Sequence, residues 1–417
     1  MRWLLVFLVF NSSLSFGQKD YALQIVDTLC SDYFSGRGYV NQGDVKAADF
    51  LVSELEKIGV QPFKKKPYTQ PYSFNVNTFP YPIEVILDQD TLIAGADYLV
   101  SPISGTAQGD FQLIEVNREN YKDFIGNPST IKQMDPSQTI FAFNFMDVKN
   151  KELKKEMDAL AYSTTRYFPV ITLSQSKQMY SVGRFQTNYP LITIDSAAYK
   201  ACEKVKLKVN NKYIPTYTSK NVIGWIPGKK KRKYVVFSAH YDHLGKMGPN
   251  AMFPGANDNA SGVAMLLSLA KYFKAHPQKY SIVFCFFSGE EAGLVGSKYF
   301  VEHPYFPLKK VKFVLNVDIM GAADEGITLV NGTKHEEAFS KMTEINEEFK
   351  LLNKIKKRGA TTNSDHHYFS EMGVPSFFIY SMGSVKNYHD IYDTAENTPL
   401  HKFDEVQTLL TKFVEQL

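Results

Sequence analysis

Ser281–Phe287, SIVFCFF, is an apolar run rich in β-formers and free of charge. Such a segment suits a strand buried on both faces of a parallel sheet. It stops at Ser288-Gly289 and runs straight into Glu290 and Glu291. AGLVGSKYF then reads as the start of a helix. Open α/β sheets place their ligand sites at the carboxyl ends of strands, where this glutamate pair falls. The ordinary alternative is a solvated helix N-terminus, where the macrodipole favours Glu. What decides between the two is whether other strand ends carry similar groups.

They do. From Ser219 onward, strands alternate with helices. NVIGWIPG and KYVVFSA read as paired strands joined by the solvated basic turn Gly228–Lys233. Helix Ser261–Ala275 and strand Ser281–Phe287 follow, then strand Val311–Val317, helix Glu336–Phe349, strand Val374–Tyr380 and helix Phe403–Gln416. The expected fold is therefore α/β, a doubly wound and mainly parallel sheet flanked by helices. KYVVFSA runs into His240, Tyr241, Asp242 and His243; PGANDNASG holds Asp258; KFVLNV runs into Asp318; the loop after VPSFFIYS holds Tyr388 and His389. All nine histidines lie at or after His240, so imidazole chemistry belongs to this half.

The first half reads differently. MRWLLVFLVFNSSLSFG has a basic start, an apolar stretch and a small-residue end, which is the pattern of a secretory leader cleaved near Gly17/Gln18. Its apolar run is short of the ~20 residues a membrane span needs, so no stable anchor is expected after cleavage, and the expected location is secreted or periplasmic. Residues 18–76 read as a helical segment, with Val45–Ile58 an amphipathic helix stopped by Gly59. Residues 77–217 alternate short β-rich pieces with turns and read as a β-rich insert without histidine, which shapes access or binds a partner. Residues 218–417 are the α/β domain. A net charge of +4 gives no ground for a nucleic-acid partner. Three cysteines make no disulfide framework. Cys285 sits inside the apolar strand; whether Cys30 and Cys202 pair is left open.

Carboxylates and imidazoles meeting at one sheet edge suit zinc, which accepts N and O ligands and keeps open positions for catalysis. His240, Asp258, Glu291, Asp318 and His389 are more ligands than one catalytic zinc commonly takes. That favours two zinc ions sharing one carboxylate and one activated water, about 3.5–4 Å apart. Asp258, in a glycine-flanked loop, suits the bridge. Asp242 is placed to accept the second imidazole N–H of His240. Glu290 suits the general base. Each has an ordinary alternative: Asp258 as a helix N-cap, Asp318 as a turn cap, Asp242 and His243 as a polar strand end. His366 competes with His389 as the last ligand. His276, His303, His335 and His401 read as solvated.

SAHYDHLG, PGANDNASG, FSGEEAGLVGS, NVDIMG and YHDIYDT, in this order, resemble the M28 family of zinc aminopeptidases from Asn221 to the C-terminus. SGRGYVNQGDVKAADFLVSELEKIGVQP resembles the N-terminal segment of secreted members, and the insert is similar in position to their protease-associated domain. The resemblance implies a secreted exopeptidase acting on N-terminal peptide bonds of peptide substrates. It implies His240 and Asp318 on one zinc, Glu291 and His389 on the other, and Asp258 on both. Glu290 would be the base, Asp242 the partner of His240, and Tyr388 a stabiliser of the oxyanion. The SDH segment around His366 is then supporting. A single-zinc glutaminyl cyclase on the same fold and a non-catalytic binding ectodomain are the rival readings.

Overall fold

The computed structural model describes residues 17–417 in full and the backbone from residue 4. But for Gly17, the leader expected over residues 1–17 lies outside the residues described in full. Among the described residues no helix is long and apolar enough to cross a membrane.

The strand expected at Ser281–Phe287 spans Tyr280–Phe287, and every residue in it is buried. Its two faces feed different cores. Ile282, Phe284 and Phe286 pack beneath helices Gly43–Ile58, Ser261–Ala275 and Phe403–Glu415. Val283, Cys285 and Phe287 pack with Phe300 and Phe369 from helices Val295–Glu302 and His366–Glu371. This period of two, with both sides apolar, is why the segment carries no charge. Fully burying each such side chain contributes about 1.5–3 kcal/mol relative to exposure.

The sheet has nine strands. Its parallel centre runs, in spatial order, Tyr280–Phe287, Lys230–His240, Val311–Val317 and Ser376–Met382. In chain order this is second, first, third, fourth. The chain therefore reverses its winding between Lys230–His240 and Val311–Val317, and open sheets bind ligands at such a switch point. His240 and Asp318 end or follow those two strands.

Several expectations are corrected. NVIGWIPG and KYVVFSA are not neighbours: Tyr280–Phe287 lies between Lys212–Ile226 and Lys230–His240. The basic stretch Lys230–Lys233 is exposed as expected, at the start of a strand. The helix after the glutamates begins at Val295. Strands Gly326–Val330 and Ile355–Lys357 extend the sheet beyond Ser376–Met382, with Ile355–Lys357 at the edge.

A second sheet of eight strands lies between Glu84 and Val209, with helix Lys151–Thr164 among its connections. It is more α/β in character than expected, because Ala107–Asn117, Thr139–Asn144, Val170–Ser174 and Leu191–Asp195 pair in parallel. The strands Thr69–Thr78 and Lys212–Ile226 lead into and out of it as an antiparallel ribbon of the first sheet. All three cysteines are free thiols.

The second sheet's core takes in a hairpin from the α/β half. The hairpin Gly245–Met247/Ala251–Phe253 joins the strand ending at His240 to the loop holding Asp258. Its Met247, Ala251 and Phe253 pack inside the second sheet's core, with Leu244 beside them. Phe253 stacks on Tyr180 at 4.5 Å between ring centroids. Phe253→Ala is expected to cost about 3–5 kcal/mol, as for other buried Phe truncations. Urea denaturation measures it, and a loss below about 0.5 kcal/mol, the size of a surface change, would contradict this docking.

Candidate metal centre

Each carboxyl edge delivers its group directly. His240 is the last residue of its strand, Asp318 follows Val311–Val317, and Glu290-Glu291 follow Tyr280–Phe287 after a two-residue turn. Asp258 lies in the turn Ala256–Ala260, ahead of helix Ser261–Ala275, with φ −113° and ψ 95°. His389 comes from the loop after Ser376–Met382, with φ +55°.

These side chains converge. The Asp258 carboxylate turns one oxygen, Oδ1, to His240 Nε2 at 3.1 Å, and the other, Oδ2, to His389 Nε2 at 3.0 Å. His240 Nε2 lies 3.3 Å from Asp318 Oδ1, and His389 Nε2 lies 3.3 Å from Glu291 Oε2. His240, Asp258 and Asp318 offer three ligand atoms within 4.8 Å of one another, and so do His240, Glu290 and Glu291. All five expected ligands are thus brought together. His366 is not: it is buried beside Phe378, its ring centroid 5.3 Å from that ring, and belongs to no metal-type cluster among the described residues. His276, His303 and His401 are exposed, while His335 is half-buried against Phe313 and Phe377.

Asp242 sits under His240, but the atom facing Nδ1 is its main-chain oxygen at 3.1 Å; the carboxylate stands 3.9 Å away. That carboxylate instead accepts the Glu290 N–H at 3.2 Å and the Tyr39 hydroxyl at 2.8 Å. The carboxylate therefore braces Glu290 and its strand end, while the backbone carbonyl faces the imidazole. Tyr388 is partly exposed and stacks its ring on His389 at 3.9 Å.

Two groups were not singled out from sequence. His243, fully buried, has Nδ1 2.8 Å from Glu291 Oε1, and it forms a third metal-type cluster with Asp258 and Glu291. Its place at the same strand end as His240 was the available signal. Gly255 leaves room for its ring: a Cβ there would run into His243, and φ is +64°. Ser364 donates to Asp318 Oδ2 at 2.8 Å, inside the segment expected to support the site.

The electrostatics separate the two adjacent glutamates. Burial pushes the Glu290 carboxyl well above its usual range; His240 opposes this, and Glu291, Asp365 and Asp318 add to it. Glu291 is buried too, yet His389 and His243 hold it at about 2. Burial lowers the basicity of His240, but Asp318, Glu290 and Asp258 outweigh it and hold the imidazole well above its ordinary value. Burial pushes Asp242 up to about 7 against the pull of His240. Asp242, Asp258, Asp318 and Asp365 are buried, with Glu290 and Glu291 beside them, around His240, His243 and His389. So much negative charge away from water calls for cations, and this mixed O/N donor set fits zinc.

The second sheet reaches this centre without adding a metal-type cluster of its own among the described residues. The Tyr180 N–H donates to the His389 carbonyl at 2.9 Å, and Lys177 pairs with Asp390 at 2.5 Å.

A mainly parallel α/β sheet with carboxylates and imidazoles packed at its switch point defines the zinc-aminopeptidase-like class of fold. Residues 221–414 match the model of Peptidase family M28, the family that the sequence resembles. It is 30% identical over 217 residues to Aminopeptidase YwaD of Bacillus subtilis (strain 168), covering 50% of this chain and 45% of that one. A probable leucine aminopeptidase of Arthroderma otae is 33% identical over 163 residues, 37% of this chain and 44% of that one. The chain thus spans less than half the length of these curated relatives. Its fold resembles the solved structure of BSAP, a zinc aminopeptidase from Bacillus subtilis, at TM-score 0.69 and 20% identity, covering 95% of this chain and 94% of that one.

Were zinc held on both sides of Asp258, Asp258→Ala would weaken it at both positions together, whereas Asp318→Asn would weaken one. Elemental analysis after dialysis against graded chelator reads the difference. Full retention at one position in Asp258→Ala would separate the two groups.

Proposed function

We propose that the chain is a zinc-dependent exopeptidase that hydrolyses the N-terminal peptide bond of peptides. The observation that carries this reading is the Asp258 carboxylate, with one oxygen toward His240 and the other toward His389. His240 and Asp318 would hold one zinc, Glu291 and His389 a second, with Asp258 shared. Zinc bound there would supply a Lewis acid for the scissile carbonyl and acidify a water at neutral pH.

The chain's own residues do the rest. Glu290 belongs to none of those ligand pairs, and burial raises its affinity for a proton, which suits a group that takes a proton from water and returns it to the leaving amine. Asp242 keeps Glu290 in place through the backbone N–H of that residue. Tyr388 presents a hydroxyl beside His389, where an oxyanion developing on the carbonyl would be met. Burial and the surrounding carboxylates hold that phenol protonated, as a donor must be.

We read the domain organisation as a leader over residues 1–17, a helical segment over 18–76 belonging to the α/β domain, an insert over 77–217 and the α/β domain over 218–417. The leader supports export, to the medium or the periplasm. The vacuolar membrane protease of Candida glabrata is matched over 11% of its own length, so its location is not carried over to this chain.

The test is a panel of free and N-blocked peptides, assayed with and without chelator. Cleavage only of free N-termini, abolished by chelator and restored by zinc, is the expected result. Release of ammonia from N-terminal glutamine by a chain holding one zinc would replace this reading with the cyclase. Glu290→Gln is expected to keep its zinc and lose about 10²–10⁴ in kcat. Near-normal turnover would remove Glu290 as the base.

A further inference from the structure

Arg37, in the SGRGY stretch of the N-terminal segment, is completely buried and makes no ion pair among the described residues. Its donors go to main-chain carbonyls instead. Nε donates to Tyr241 at 2.9 Å, beside His240. Nη1 donates to Leu29 at 3.2 Å and Pro254 at 2.6 Å. Nη2 donates to Gly255 at 2.6 Å and to Asp258 at 3.5 Å. Gly36, with φ +65°, lets the chain bring this guanidinium against the hairpin end, where a Cβ would strike the Phe253 carbonyl.

The same loop is gripped from its other side by an anion. Asp393 Oδ1 accepts the Asn257 N–H at 2.7 Å, and Oδ2 accepts the Asp258 N–H at 3.0 Å. The Asp393 carbonyl accepts the Ala256 N–H at 3.0 Å. Asp393 is also completely buried. A cation therefore sits on the loop's carbonyls and an anion on its amides. A buried charge without a partner is unfavourable; burial pushes the Asp393 carboxyl up to about 7, while the Asn257 and Asp258 amides and, more weakly, Arg37 favour its charged form.

We propose that Arg37 and Asp393 form an ion pair relayed through the backbone of loop 254–258, and that this relay positions the Asp258 carboxylate between the two metal positions. It rests on reading Asp258 as the shared ligand. The choice of contacts supports positioning over general packing: three of Arg37's five acceptors lie in loop 254–258, and a fourth is next to His240. Arg37 spends five directed bonds in a planar fork, which a lysine cannot reproduce with three donors on a tetrahedral nitrogen. Both residues are positioning residues; neither contacts a reacting group.

The experiment compares wild type with Arg37→Lys, Arg37→Met, Asp393→Asn and the Arg37→Met/Asp393→Asn pair. A control, Phe413→Ala in the last helix, supplies a comparable loss of melting temperature away from the loop. Readouts on folded protein are zinc affinity by chelator competition and the visible spectrum of the cobalt-substituted protein. Each single variant is expected to weaken zinc by about 10–100-fold, as for other residues that orient metal ligands, and to shift the cobalt bands. The control moves neither. The double variant is expected to be no weaker than the weaker single, because each change already breaks the relay. Wild-type affinity and spectrum in the variants, or losses that simply add, would overturn the relay. If Arg37→Met does not fold, Arg37→Lys and Asp393→Asn decide the question. Two zinc ions in wild type with unchanged variants fail the relay alone; a single zinc in wild type removes the shared carboxylate and the relay with it.

Discussion

One buried carboxylate with an imidazole on each oxygen sets the geometry that the rest of the molecule serves. Asp258 ties the end of Lys230–His240 to the loop carrying His389, at 3.1 and 3.0 Å. Neither contact is local. Both require the sheet to place its strand ends in one plane, and the chain to cross between its first and third parallel strands where it does. The reversal of winding leaves room there for side chains rather than for a crossing loop. The polar groups are then packed too densely to be neutral by themselves, which is the physical reason to look for cations.

Much of this was legible in the chain. The parallel strands show as uncharged runs because both faces are covered, and each is followed at once by Asp, Glu or His. That abrupt change from apolar to ionisable marks a strand's carboxyl end, and it located His240, Asp318 and the Glu290-Glu291 pair. Strand order was not legible. Lys212–Ile226 and Lys230–His240 are adjacent in sequence and invite a hairpin, but Tyr280–Phe287 inserts between them. Nothing in the residues themselves records that, since all three strands are apolar enough to sit anywhere in the centre. The short strand Gly326–Val330 follows Val311–Val317 without a helical crossover and runs antiparallel to Ser376–Met382.

The site shows the same boundary. Side chains that meet side chains left a trace in residue type. Those that meet the backbone did not: Arg37 finds carbonyls of Tyr241, Pro254 and Gly255, and any residue there would offer the same oxygen. Asp242 was expected to reach His240 through its carboxylate, yet its main-chain oxygen takes that place. Residue type predicts that a group will be near; it does not say which atom will point inward. His243 is the converse case, a visible imidazole whose role emerges only through its contact with Glu291.

The hairpin between His240 and Asp258 carries Met247, Ala251 and Phe253 into the core of the second sheet. The peptide that links two of the proposed ligands is thus packed against the second sheet. A chain shortened to its α/β half would present those three side chains to water, a few residues from the loop that holds Asp258.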